Sequence, residues 1–240
     1  MALSGWSDAN YIEHGSATEL DDLADLTVCG WFYPTDQTAR QVIFSKGDPA
    51  GTNELQAGLN WHAVGDPLII FRGRATSAAV AEADFANFSH LAVNKWVFMA
   101  FCISTTVAAD NKILVGDLSN SAAEPSGYTQ QATGSGALNT DAAQNVRIGR
   151  HPSATGRQYV GRIANFRMFN KVLSNAELIA LQWGNRPLDY SSQVIHSEYG
   201  WTGTTASQPD YSGQGNPGTV TGTLTLADHA PCDRDWETPC

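Results

Sequence analysis

If this chain hydrolysed anything, the side chains that would matter most are carboxylates at alternate strand positions. One can act as an acid while the other attacks, or activates water, from the same face. Glu82 and Asp84, separated by Ala83, have that spacing. Asp233, Asp235 and Glu237 repeat it near the C-terminus, where Pro and Cys neighbours favour exposure over the desolvation that tunes a catalytic acid. The histidines at 14, 62, 90, 151, 196 and 229 fall at no metal-ligand spacing, and C-x-x-C does not occur, so zinc is not expected. The sequence has no nucleophile elbow, phosphate loop or dinucleotide fingerprint.

The remaining candidates are for binding. Trp61 and His62 lie near a predicted hairpin tip, where an indole can stack on a sugar ring, although a Trp in an alternating strand more often belongs to a core. Of the 14 basic residues, Arg147, Arg150, Arg157, Arg162, Arg167 and Lys171 share one short stretch. We read them as a solvated sheet face in preference to an anion-binding patch. Asp210, Gly213, Gly215, Asn216 and Gly218 form a dense turn cluster. Asp210 and Asn216 are the best calcium candidates there, against the simpler reading of Asx side chains bonding their own backbone. Asp21, Asp22 and Asp25 lack the alternating ladder with a central Gly that a calcium loop needs.

The elements that must position these residues are mostly strands. LTVCGWFY (26–33), QVIFSK (41–46), LQAGLNWHA (55–63), LIIFRG (68–73) and Lys112 to Asp117 have strand composition and length. Lys95 to Ser104 is a near-continuous apolar run, expected in the middle of a sheet and buried on both faces. Val146 to Ile148 and Tyr159 to Phe169 are read as a hairpin turned by HPSATG, with an apolar phase slip from Ile163 to Phe166 and Met168 that suggests either a bulge or a strand with apolar contacts on both faces. Ser174 and Glu177 form a capping box, and Leu173 and Leu178 are placed as its staple, which predicts a short helix over Asn175 to Trp183 with Leu178 and Trp183 buried. Residues 74–93 and 119–141 read as long connections, the first with room for a short strand, and VTGTLTL (220–226) reads as a last strand.

Composition sets limits on function. The formal net charge of −10 disfavours nucleic acid and anionic membranes as partners, and no stretch is long and apolar enough to span a bilayer. MALSGWSDAN has neither a basic start nor an apolar run, so synthesis in a cytosol is expected. Cys29 and Cys102 sit within apolar strands and should behave as small buried hydrophobes, whereas Cys232 and Cys240 could pair in an oxidising medium.

GRIANFRMFNKVLSNAELIAL (161–181) resembles the closing segment of laminin-G-like, concanavalin-A-like jelly-roll domains, with a G-R-I-x-x-F-R-x-F-N strand followed by L-S-x-x-E. Asn10 to Asp36, Ile43 to Asp48, Asn94 to Ser104 and Asn145 to Arg150 agree in the family's order. The resemblance implies an all-β, two-sheet antiparallel jelly-roll sandwich with one short capped helix, spanning residues 1–228 as a single domain, with 229–240 as a tail. The D-x-S-G-x-G-N-x-G-T piece at Asp210 stands in many relatives at the start of the domain. Circular permutation, with the strand at 217–228 beside the N-terminal strand, is preferred to a second domain cut short. Glycosidases of the superfamily use E-x-D-x-x-E. Here Asn87 replaces the last carboxylate, so Glu82 and Asp84 are read as a coincidence and no enzyme is expected. Calcium is the one candidate cofactor the resemblance implies.

The function expected is a non-enzymatic virion surface protein, a capsid decoration or a fibre- or tail-associated module. Its lectin-like domain would contact glycans or a host surface, and other particle proteins would be its partners. The alternatives are a glycan hydrolase or lyase on the same fold, or a secreted-type carbohydrate-binding adhesion module.

Overall fold

The computed structural model describes residues 1–47, 54–60, 68–73, 79–85, 91–125, 128–133, 140–184, 191–199, 203–204 and 207–228. The elements in chain order are β1 (Ala2–Ser4), β2 (Tyr11–Glu13), β3 (Asp25–Pro34), β4 (Gln41–Gly47), β5 (Glu54–Leu59), β6 (Leu68–Gly73), β7 (Ala79–Phe85), β8 (Val97–Ser104), β9 (Lys112–Gly116), β10 (Tyr128–Thr133), β11 (Val146–Ile148), β12 (Gly161–Phe169), α1 (Asn175–Gln182), β13 (Gln193–Ser197), β14 (Thr219–Thr221) and β15 (Thr225–Ala227).

The strands build two antiparallel sheets. One has seven strands, in the order β15-β1-β12-β3-β8-β9, with β13 also paired to β12; the other has eight, in the order β10-β7-β6-β5-β4-β11-β2-β14. This is the two-sheet sandwich with one short helix that the sequence led us to expect. Leu26, Val28 and Phe32 from β3, Met99 and Phe101 from β8, and Ile43, Ala57, Ile70 and Ile148 from the facing sheet meet in the core between them. Alternation then sends Cys29, Trp31, Phe98 and Cys102 to the outer face of the seven-stranded sheet. That face is covered by α1, which explains why β8 is buried at every position.

The capping box is present at α1: the Ser174 side chain accepts from the Glu177 N–H, and the Glu177 carboxylate accepts from the Ser174 N–H at 2.8 Å. Leu173 and Leu178 are both buried in the cluster under the helix. Trp183, expected to be buried, is the C-cap and half-buried, because the helix ends one residue earlier than its sequence suggested.

Three expectations change. Val146 to Ile148 and Gly161 to Phe169 are not a hairpin: β11 pairs with β2 and β4 in one sheet, and β12 pairs with β1, β3 and β13 in the other. The chain crosses between sheets at Gly149, whose φ of +80° suits glycine and whose missing side chain leaves room for the Trp6 ring. The interval expected to be a loop contains β10, which pairs with β7. VTGTLTL makes two short strands instead of one, β14 beside β2 and β15 beside β1. The phase slip in β12 is a bulge between Ala164 and Arg167, with Asn165 at φ +49°.

Candidate functional site

Register alone assembles a polar row on the outer face of the eight-stranded sheet. Glu13 is aligned with Arg147, Arg147 with Ser45, and Ser45 with Gln56. Gln56 is aligned with Phe71 and Phe71 with Glu82. Directly opposed residues share a face. The neighbours Ile12, Ile148, Phe44, Leu55, Ala57, Ala81 and Ala83 are all in the core, so the row lies on the other side. Asp84 follows Glu82 on that side of β7. Both carboxylates are recessed, at 5% and 3% exposure, and Ser45 and Gln56 are buried.

The segment after β11 folds onto this row around His151. The Nδ1 of His151 accepts the N–H groups of Ser153 at 3.1 Å and Ala154 at 2.8 Å, so the neutral ring must carry its proton on Nε2. That nitrogen lies 3.2 Å from the Gln56 amide, and Gln56 Oε1 is the natural acceptor once the amide is oriented to face it. Burial, followed by the nearby charges of Arg157, Arg40 and Arg150, lowers the His151 pKa to about 4. Ser45 Oγ donates to the Arg150 carbonyl at 2.8 Å, fixing the segment to β4.

The arginines singled out in the sequence divide between the two sheets. Arg147 donates to Glu13 at 2.7 Å and to the Pro152 carbonyl at 3.2 Å, and the Arg150 guanidinium lies 4.6 Å from the Tyr11 ring centroid. Arg157 Nη1 is 3.3 Å from His151 Nε2. Arg162 stacks on Tyr33 in the other sheet, Arg167 bonds Asn165 at 3.0 Å, and Lys171 pairs with Glu177. Arg147, Arg150 and Arg157 are therefore brought together, while Arg162 and Arg167 are not. The shared stretch lost its unity when the expected hairpin proved to be a crossover. Trp61, His62, Cys232, Cys240, Asp233, Asp235 and Glu237 lie outside the described residues.

The calcium candidates serve the fold. Asp210 Oδ1 accepts from the N–H groups of His196 and Ser212, both at 2.9 Å, and Oδ2 accepts from Ser212 Oγ at 2.7 Å and the Asn216 N–H at 2.9 Å. These bonds hold the carboxyl below its usual pKa against the opposing effect of burial. Four donors pointing at one carboxylate leave no lone pair directed at a cation, so Asp210 does not fit a calcium ligand. Asn216 spends its amide on Glu19 and the Val194 carbonyl, both at 2.9 Å. At the other acidic turn, Asp21 receives an ammonium: Lys46 Nζ donates to Asp21 at 2.8 Å, to Asp141 Oδ1 at 2.7 Å and to the Asp141 carbonyl at 2.9 Å. Asp22 and Asp141 exchange backbone-to-carboxylate bonds of 2.8 Å.

Gln56 is the residue that sequence reasoning passed over, while Glu82 and Asp84 were noticed as a pair and set aside as a coincidence. The available signal was the alternation Ala81-Glu82-Ala83-Asp84, a strand with one apolar and one charged face. No helix among the described residues is long and apolar enough to cross a membrane.

No protein-family model matches the sequence, and no curated protein matches it. Solved structures do match in fold. A Bacteroides ovatus protein described as a candidate carbohydrate-binding protein aligns with a TM-score of 0.58 at 14% identity, over 95% of this chain and 60% of that one. Domains LG4-5 of the mouse laminin alpha1 chain align with a TM-score of 0.46 at 10% identity, over 86% of this chain and 48% of that one. Tailspike protein 2 of an Escherichia coli O157:H7 bacteriophage aligns with a TM-score of 0.48 at 13% identity, over 78% of this chain and 25% of that one. This chain thus spans less than two thirds of each of these proteins. The order of its strands, the capped helix on the outer face and the likeness to the Bacteroides ovatus structure show the fold, a two-sheet antiparallel jelly-roll sandwich with one short helix among the described residues.

Proposed function

We propose that the protein is a non-enzymatic glycan-binding module whose ligand lies along the outer face of the eight-stranded sheet. The observation that carries this reading is the aligned row Glu13–Arg147–Ser45–Gln56, with Glu82 in the same register two strands further on. Sugar hydroxyls both donate and accept, so the partly exposed Glu13–Arg147 pair at the open end of the row suits them, with the buried Ser45 and Gln56 behind it holding the strands in place, and a net charge of −10 argues against polyanionic partners such as nucleic acid. The likeness in fold to a candidate carbohydrate-binding protein agrees with it. A glycan array tests the reading: wild type should retain a defined set of glycans, and Arg147→Ala and Glu82→Gln should each weaken retention by about tenfold. Retention unchanged in both variants would remove the outer face from the account.

One observation favours a second reading, a glycan hydrolase: Glu82 and Asp84 share one face of β7 and are shielded from solvent. Release of reducing ends from a polysaccharide, lost in Glu82→Gln, would establish it. The finer part of the proposal assigns the module to a phage or virus particle, where it would contact surface glycans beside other particle proteins. Mass spectrometry of purified particles is its test, and the protein should be present in stoichiometric amount.

A further inference from the structure

The open end of the polar row continues past Glu13 onto the last strand of its sheet. β14 lies beside β2, with Thr219 aligned with Glu13 and Thr221 with Tyr11. Directly opposed residues share a face, and Ile12, between Tyr11 and Glu13, belongs to the core, so both threonines stand on the outer face with the row. Arg150 reaches this edge from the segment after β11 and lays its guanidinium over the Tyr11 ring, 4.6 Å from the centroid. We infer that Arg150 on Tyr11 is the subsite that selects the glycan, and that it takes a sugar carrying one anionic group, a carboxylate or a sulfate. This rests on the glycan reading of the outer face and deepens it.

The charge of the ligand is argued from the partners of the cations. Arg147 pairs with Glu13, Arg162 with Asp228, Lys171 with Glu177 and Lys46 with Asp141, whereas no carboxylate among the described residues lies within ion-pair distance of Arg150. The Arg150 Nε is buried with no hydrogen-bond partner among the described residues, in a side chain that is half-buried overall, so its terminal nitrogens are the part that meets solvent. The Tyr11 ring holds the guanidinium in place. A guanidinium fixed on a ring face accepts an oxyanion in two parallel bonds, and it does so without first giving up a carboxylate of its own.

The same charges limit the ligand to one anionic group at this patch. Glu13 and Arg147, 23% and 19% exposed, offset each other, which leaves Arg150 as the single net positive charge beside them. A densely sulfated chain would bring its further charges against Glu13 and against a protein of net charge −10. The rest of the patch suits a neutral sugar ring. Thr219 is exposed and Thr221 half-buried, and a threonine hydroxyl both donates to and accepts from sugar hydroxyls. Three strands, β11, β2 and β14, make the patch about 10 Å wide, enough for a short oligosaccharide.

A glycan array of matched pairs tests the inference: glucuronate-bearing glycans against their glucose counterparts, and singly sulfated galactosides against unsulfated ones. The acidic member of a pair should be retained about tenfold better, and the pair that shows it tells carboxylate from sulfate. Arg150→Gln should bring the two members level, and Arg150→Lys, which keeps the charge and loses the fork, should restore part of the preference. The fold should survive both changes by circular dichroism, because Ser45 anchors this segment through the Arg150 carbonyl and not its side chain. Arg162→Gln removes a guanidinium stacked on Tyr33 in the other sheet and should leave the preference intact. No acidic preference in the wild type, a preference unchanged in Arg150→Gln, or heparin retained above the singly charged glycans would overturn the inference. Neutral glycans retained without acidic preference, and lost in Arg147→Ala, would leave the outer-face reading standing without this subsite; retention of no glycan would remove both.

Discussion

The ammonium of Lys46 sits 2.7 Å from the carboxylate of Asp141, and neither side chain reaches solvent. Lys46 lies on the inner side of β4, aligned with the core residue Val146, so this is an ion pair at the rim of the sandwich interior. Its three protons are distributed over Asp21 Oδ1, Asp141 Oδ1 and the Asp141 carbonyl. One cation therefore ties the acidic turn before β3 to the turn before β11.

Removing that cation should be expensive. Lys46→Met leaves the Asp141 carboxylate buried with its charge uncompensated, which should cost on the order of 3–5 kcal/mol. The double variant Lys46→Met/Asp141→Leu should recover much of the loss, because no lone charge then remains buried. Urea denaturation of the wild type and the two variants measures both values. A single-variant loss below about 1 kcal/mol would contradict the assignment.

His14 should make the fold acid-sensitive. Its Nδ1 donates to the Asn216 carbonyl at 2.8 Å, so Nε2, 3.1 Å from the Tyr199 hydroxyl, must accept, and the ring is neutral. Burial lowers its pKa from the ordinary 6.5 to about 4, against smaller opposing effects of Asn216 and Asp210. The unfolded chain takes up the proton first as pH falls. The stability this residue confers is full above pH 6.5, declines as pH falls toward 4, and is gone below it; the span is worth on the order of 3 kcal/mol. His14→Gln should lower stability at pH 7 and flatten the slope between pH 6.5 and 4, as read from denaturation midpoints across that range. An unchanged slope would show that His14 does not carry the effect.

The helix should behave as a docked cap. Leu178 is fully buried on the outer face of the seven-stranded sheet, so Leu178→Ala should cost ~2–4 kcal/mol. Ser174→Ala removes one half of the capping box and should cost ~1 kcal/mol. The two are coupled through a short helix that is not stable alone, so a thermodynamic cycle should give a loss for the pair that departs from the sum. Strict additivity would mean that the cap and the docking face act independently.

What the sequence disclosed and withheld follows from the range of each signal. The β8 run, the β3 run, the capping box and the Asn165 bulge are written in neighbouring residues, and each was legible. Whether β11 pairs with β12 is a long-range matter: a Gly-containing connection of this length can turn a hairpin or cross between sheets, and the partners that β2, β4, β1 and β3 offer lie far away in the chain. The polar row was hidden for the same reason, since Glu13, Arg147, Ser45, Gln56 and Glu82 fall into one line across the strands only when register is known. Glu82 and Asp84 were visible as an alternation but were set aside because Asn87 replaces the last carboxylate of the motif and the surroundings are rich in Ala. In fact those alanines are the core face of β7.

The Asp210 turn provides the last prediction, because it separates a structural carboxylate from a metal ligand. Both oxygens of Asp210 receive N–H or O–H donors, from His196, Ser212 and Asn216. A calcium ion would have to displace those donors and leave them unsatisfied in a half-buried site, and its gain from one carboxylate and a few carbonyls would be set against that loss. Adding millimolar calcium or a chelator should therefore leave the melting temperature unchanged. Asp210→Ala should lower stability by roughly 2–4 kcal/mol by orphaning the donors, whereas Asp210→Asn, which keeps one acceptor oxygen, should lose about half of that. Asn216 bridges this turn to Glu19, and its carbonyl accepts from His14; the Asp210 charge raises the His14 pKa, so Asp210→Asn, which removes that charge, should lower it further. NMR titration of the His14 ring in Asp210→Asn would show it. A melting temperature that rises with calcium in the wild type and not in Asp210→Ala would reverse the assignment and make the turn a metal site.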